Sequence, residues 1–151
     1  MPSDSIVFVD TKVLLYSEDR ADLAKHQAAR DWLRVLWISR RGRVSTQVMH
    51  EFYVHATCKL RPAMAAGDAR AEVRRYQRWQ PWVVDQPTVE AAWAVESRCG
   101  LSYWDALMVA AALQQGCSVL LTEDLQHGQQ IDGVRIVSPF IEGPETLDAG
   151  A

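Results

Sequence analysis

The sequence predicts an α/β fold, with a central, mostly parallel five-stranded sheet sandwiched between helices in three layers. Three observations point there. Short strand-like runs at 5–9, 43–46, 82–84, 118–121 and 134–137 alternate with longer helical segments. The chain has 151 residues, enough for one full core. Apolar residues make up 48% and charged residues 23%, a globular mix that excludes disorder, collagen and coiled coil.

The elements follow in order. Residues 5–9 (SIVFV) read as a buried strand, Asp10 follows at once, and Val13, Leu14 and Leu15 begin a brief helix. Residues 22–38 place Leu23, Trp32, Leu33, Leu36 and Trp37 among arginines, the pattern of an amphipathic helix. A short strand over 43–46 leads to Thr46, expected to cap a helix running to about residue 60. Pro62 and Gly67 punctuate the connection to a basic helix over 68–79. Residues 82–84 (WVV) predict a third strand, and 88–99 a helix ended by Gly100. The segment 102–115 is apolar almost all round and is expected to be central. Strands at 118–121 and 134–137 complete the sheet. One domain over 1–143 is therefore expected, followed by a tail at 144–151 without periodicity, expected to be disordered.

Composition also bears on setting. The longest apolar run, 106–113, is far too short to span a bilayer, so no membrane role is expected. The first ten residues carry two acids, Asp4 and Asp10, and no basic region, unlike a signal peptide. Cys58, Cys99 and Cys117 form neither a disulfide framework nor a zinc pattern, which suits the cytoplasm.

The net charge of −3 hides a division of the chain. Residues 1–19 hold one lysine and four acids; 20–78 hold thirteen basic groups and five acids; 79–151 hold two arginines and ten acids. Such a division can set a basic surface for a polyanion beside an acidic pocket for cations; charges clustered on a solvated surface are the plainer reading. Six tryptophans could stack bases, but their positions favour packing in the core or between subunits.

Four acids stand beside apolar segments. Asp10 ends the first strand and could simply cap the next helix. Glu51 could face solvent, Asp105 could complete a capping box with Ser102, and Asp124 could form an Asx turn. Asp10 and Asp124 both follow strands, where parallel sheets gather ligands. Converging carboxylates would repel one another, and a hard divalent cation, Mg2+ or Mn2+, resolves that conflict. His50-Glu51 followed by His55 resembles a zinc-protease pattern, but five-residue spacing puts the histidines about 140° apart round a helix. Neither a phosphate-cradling P-loop nor a G-x-S-x-G nucleophile motif occurs.

Four ordered segments, FVDTKVLLY (8–16), STQVMHEFY (45–53), YWDALMVAA (103–111) and LLTEDLQHG (120–128), resemble the PIN-domain ribonucleases of the VapC type, toxins of toxin–antitoxin systems. The stretch IDGVRIVSPF (131–140) is similar to the family's closing strand, so the likeness runs from Ile6 to Phe140. It implies a PIN-like sandwich and an endoribonuclease using Mg2+ or Mn2+. Asp10, Glu51, Asp105 and Asp124 match the family's catalytic acids, with Asp10, Asp105 and Asp124 as metal ligands. Thr11 and Thr122 match its accessory hydroxyl positions. An RNA substrate, a cognate antitoxin covering the active-site groove and a homodimer are implied as well. Arg70, Arg74 and Arg75 then become a track for RNA phosphates.

One position departs from the pattern. The family usually carries Asn two residues after the first Asp, whereas this chain has Lys12. An ammonium opposes a nearby cation, but it could hold a scissile phosphate or pair with Glu123. Two other classes stay open. A Mg2+-dependent phosphatase could use Asp10, although the D-x-D of haloacid-dehalogenase-type enzymes and the paired acids of receiver domains are both missing. A catalytically impaired PIN-like module would bind only RNA or protein; the four acids speak against it and Lys12 for it.

Overall fold

A computed structural model describes residues 5–149 of the chain. Its centre is a five-stranded sheet in the order β2-β1-β3-β5-β4. Strands β1 (Val7–Val9), β2 (Gly42–Arg43), β3 (Val119–Leu121) and β5 (Val134–Val137) run parallel, and β4 (Gln130–Ile131) pairs antiparallel with β5. Every residue of β1 and β3 is buried. Continuous apolar runs are what strands covered on both faces require. From β1 the sheet grows first to β2 on one side and then to β3 on the other. The order therefore switches between β1 and β3, and a crevice opens beyond their carboxyl ends.

Among the described residues, seven helices surround the sheet: α1 (Thr11–Tyr16), α2 (Leu23–Ser39), α3 (Thr46–Cys58), α4 (Ala66–Tyr76), α5 (Gln86–Cys99), α6 (Tyr103–Gln114) and α7 (Thr146–Ala149). Four of them, α2, α3, α5 and α6, start on a short polar side chain. Asp22 accepts from Lys25 N, Ser45 from Val48 N, Asp85 from Thr88 N and Ser102 from Asp105 N. Each bond satisfies a backbone donor that the first turn leaves free. Gly100 ends α5 in the left-handed conformation, at φ +67°. Buried residues run without a break from Ala106 to Ala112, which makes α6 the central helix expected from its sequence.

Several expectations need correction. Ser45, not Thr46, caps α3: Ser45 has the extended backbone a cap requires, and the Thr46 hydroxyl accepts instead from Val84 N. The strand expected over 82–84 reduces to one bridge between Trp82 and Ser45, beside Pro81, with Val83 67% exposed. The fifth strand is β4, a two-residue segment too short to show alternation. The basic helix ends at Tyr76 and tightens into a 3-10 turn over Gln77–Trp79. The tail expected to be disordered contains α7, because Leu147 is buried against the core; residues 150 and 151 lie outside the described ones. Trp32 and Trp79 are core residues as expected, whereas Trp93 and Trp104 remain largely exposed.

Candidate active site

Asp10 leaves β1 at the switch point and is 4% exposed. It occupies the cap position of α1, yet its side chain makes no capping bond. Oδ2 instead accepts from the Thr122 hydroxyl at 2.7 Å. Thr122 follows β3 directly, and its Oγ1 also accepts from Asp124 N at 3.1 Å. One buried threonine thus ties Asp10 to the loop that presents Asp124, so the simple capping reading of Asp10 fails.

Glu51 does not merely face solvent. Its Oε1 accepts from the Thr11 hydroxyl at 2.6 Å and its Oε2 from Gln47 Nε2 at 3.1 Å. Gln47 lies one helical turn before Glu51 on the same face of α3. It also donates to the Trp104 carbonyl at 3.2 Å, linking α3 to the start of α6, where Asp105 sits in the first turn. Sequence reasoning missed Gln47, although its spacing from Glu51 was the signal.

Lys12 is paired with Asp124, Nζ to Oδ1 at 2.7 Å, and not with Glu123. Glu123 belongs to a separate brace. Tyr16 donates to its Oε1 at 2.8 Å and Lys25 to its Oε2 at 2.9 Å. The Lys25 ammonium also lies over the Tyr16 and Phe140 rings, 5.1 and 5.0 Å from their centroids. No local sequence signal announces Tyr16 or Lys25, because the partners are about 100 residues away.

The electrostatics couple the four acids. Burial raises the Asp10 carboxyl to about 7; Asp124, Asp105 and Glu51 push it further in the same direction, and the Thr122 bond offsets part of the shift. Burial also raises Asp105, with Asp124 and Glu51 adding to it and Ser102 and Lys12 opposing. Lys12 is held more basic than usual by its bond to Asp124. Burial alone would raise Glu123, but Lys25 and Tyr16 hold it below its ordinary range.

Among the described residues, no three His, Cys, Asp or Glu side chains are arranged to grip one ion as they stand. Asp124 is engaged with Lys12, and Glu51 with Thr11 and Gln47. The donor chemistry nevertheless fits a hard divalent cation. The acids offer only oxygen, the buried Gln47 Oε1 has no partner, and the burial and mutual repulsion that raise Asp10 and Asp105 are what such a cation relieves.

The three arginines expected on RNA separate into two kinds. Arg70 and Arg74 are exposed on α4 beside a cavity of about 440 Å3 that also touches His50 and Tyr53. Arg75 is engaged, 2.9 Å from Glu72 and 4.4 Å above the Trp37 ring.

The profile of the PIN domain family matches residues 7–130. Among curated proteins, none matches the chain. Solved structures share its fold. The VapC20 toxin of Mycobacterium tuberculosis, described as cleaving the sarcin–ricin loop, is 24% identical with a TM-score of 0.60, covering 85% of this chain and 98% of its own. A toxin–antitoxin complex from Klebsiella pneumoniae is 20% identical with a TM-score of 0.53, over 89% and 98%. VapBC2 of Rickettsia felis, bound to a DNA fragment from its promoter, is 10% identical with a TM-score of 0.56, over 88% and 98%. The match spans well over half of the chain and includes Asp10, Glu51, Asp105 and Asp124, and on the ground of that extent the chain belongs to the PIN-domain family.

Proposed function

We propose that the protein is an endoribonuclease dependent on Mg2+ or Mn2+ and the toxin of a toxin–antitoxin pair. One observation carries the reading. Asp10 is a buried acid that caps nothing and is raised to about 7, in part by three further carboxylates. A structural aspartate at a strand end has no need of that company; a cation site does.

Asp10, Asp105 and Asp124 would hold the ion, with Glu51 as the fourth catalytic acid. A bound Mg2+ or Mn2+ supplies activation of water and neutralises charge on a phosphodiester. The chain's own groups set up that chemistry. Thr122 fixes the Asp10 carboxyl, and Thr11 and Gln47 fix Glu51 from both sides. The Lys25–Tyr16–Glu123 brace holds the loop from which Asp124 projects. Lys12, on its long stem, can swing away from Asp124 toward solvent when an ion binds there. In the basic segment proposed to meet RNA, Arg70 and Arg74 are open to phosphates, whereas Arg75 is engaged by Glu72 and the Trp37 ring.

The relatives support the partners. One is described as a toxin that cleaves the sarcin–ricin loop, and two were solved as toxin–antitoxin assemblies. A cognate antitoxin, a homodimer and a cytoplasmic setting complete the reading. No described helix is long and apolar enough to cross a membrane.

A second reading, a PIN-like module that binds without cutting, has the Lys12–Asp124 pair in its favour. A phosphatase using Asp10 as nucleophile is disfavoured by that side chain's burial and its bond to Thr122. One assay separates all three: RNA and a generic phosphomonoester, each with Mg2+ and with chelator. Cleavage of RNA alone, abolished by chelator, is expected. Hydrolysis of the monoester alone would establish the phosphatase, and RNA binding without cleavage the impaired module.

A further inference from the structure

At the other end of the sheet, Arg40, Arg43 and Arg78 line a cavity of about 440 Å3 walled by Trp37 and Trp79. Arg43 Nη1 donates to the carbonyls of Arg40 and Gly42, at 3.1 and 2.8 Å. Its guanidinium therefore turns toward the amino end of β2, whereas the four acids gather around the carboxyl ends of β1 and β3. Among the described residues, no carboxylate pairs with any of these three arginines. Three like charges beside tryptophan walls repel one another; the two carbonyls that Arg43 holds offset part of that repulsion, and among the described residues no carboxylate does.

Arg40 carries a second oddity. It ends α2 in the left-handed conformation, at φ 60°, a position where glycine is the usual and cheaper residue. A cation at the carboxyl end of a helix offsets part of that cost, and an anion held in the cavity would offset more.

The arginines also continue a line. Arg70, Arg74 and Arg78 recur every fourth residue along α4 and the 3-10 turn, about 6 Å per step. Arg70 and Arg74 border the cavity between α3 and α4. That cavity shares Thr46 and His50 with a third one, which reaches Glu51. Evenly stepped, unpaired guanidiniums leading from a carboxylate site to a closed cluster suit the repeated phosphates of a strand better than one carboxylate of a peptide.

We propose that the Arg40–Arg43–Arg78 cavity is a phosphate-binding site for the RNA backbone, anchoring the strand away from the scissile bond. This rests on the ribonuclease reading above.

The test is anisotropy of a fluorescent single-stranded RNA in EDTA, which blocks metal-dependent cleavage, over a series of salt concentrations. The variant is Arg40→Gly/Arg78→Gln. Glycine favours the backbone at position 40, and Arg78 is exposed, so the fold should stand; Arg78→Gln alone is the second variant. The double variant is expected to bind about tenfold more weakly. Its slope of log Kd against log salt should be shallower by about 1.4, at about 0.7 per phosphate lost, and by half that in Arg78→Gln. Unchanged affinity and slope overturn the site while leaving the ribonuclease reading in place. Wild-type protein that binds no RNA overturns the site too. Poly-glutamate binding as tightly as RNA, and weakened equally in the variant, overturns it in favour of a protein partner. RNA bound as expected but never cut with Mg2+ would sink the ribonuclease reading and leave the phosphate site standing.

Discussion

Lys12 and Asp124, 112 residues apart in sequence, meet in an ion pair of 2.7 Å between Nζ and Oδ1. The lysine side chain is 52% exposed, so solvent screens the pair and its contribution to stability is at most about 1 kcal/mol. Its consequence is for cation binding, because an ammonium held on Asp124 repels an incoming metal ion and neutralises the charge that would attract it. Lys12→Asn is expected to tighten Mg2+ binding about tenfold in titration calorimetry, with cleavage equal or faster. Unchanged affinity together with markedly slower cleavage would make Lys12 a working phosphate contact.

Asp10 gives the metal-free protein a pH dependence of unusual sign. Its carboxyl titrates near 3.8 when unfolded and at about 7 when folded. The folded state therefore binds the proton more tightly, a contribution that is full below about pH 4 and lost as pH rises through 7. Three pH units correspond to about 4 kcal/mol. In chelator, the Tm of the wild type should fall between about pH 5 and pH 8 more steeply than that of Asp10→Asn, and Mg2+ should flatten the difference. Equal slopes for the two proteins would contradict the burial and coupling assigned to Asp10.

Arg75 should behave unlike its neighbours on α4. Its guanidinium is taken up by Glu72 and the Trp37 ring, whereas Arg70 and Arg74 stand beside an open cavity. Arg70→Ala and Arg74→Ala are each expected to reduce the salt slope of RNA binding by about 0.7. Arg75→Ala should instead lower the urea midpoint, costing about 1 kcal/mol, with little change in slope. The reverse pattern would place Arg75 on the RNA.

Gly42 tests the packing behind the arginine cavity. A Cβ there would overlap the indole of Trp79, which is itself buried. Gly42→Ala is expected to cost about 1–3 kcal/mol, read from the urea midpoint. An unchanged midpoint would mean that the ring moves aside freely.

Much of this arrangement was legible in the sequence. The apolar runs of β1 and β3 and the unbroken apolar character of α6 identify a buried parallel sheet with a central helix. The acids at strand ends and helix starts follow from that topology. The rest was hidden for physical reasons. A strand of two residues such as β4 carries no periodicity, and Trp82–Val84, with strand-like composition, spends its bonds on a single bridge and on Thr46. Contacts over about 100 residues, such as Tyr16 and Lys25 on Glu123, leave no local trace. The unpaired state of Arg40 and Arg78 was equally invisible, since charge counts show a basic segment but not which of its cations find acids.

The most direct measurement is single-turnover cleavage of RNA by wild type, Asp10→Asn and Asp105→Asn, each in Mg2+ and in chelator. Both variants should keep the wild-type circular dichroism, since removing a charge relieves repulsion in the metal-free site. The wild type should cut RNA in Mg2+ alone, and each variant should lose at least about a thousandfold in rate. Folded variants that cut as fast as the wild type, or cleavage that survives in chelator, would contradict a carboxylate-held cation as the centre of catalysis.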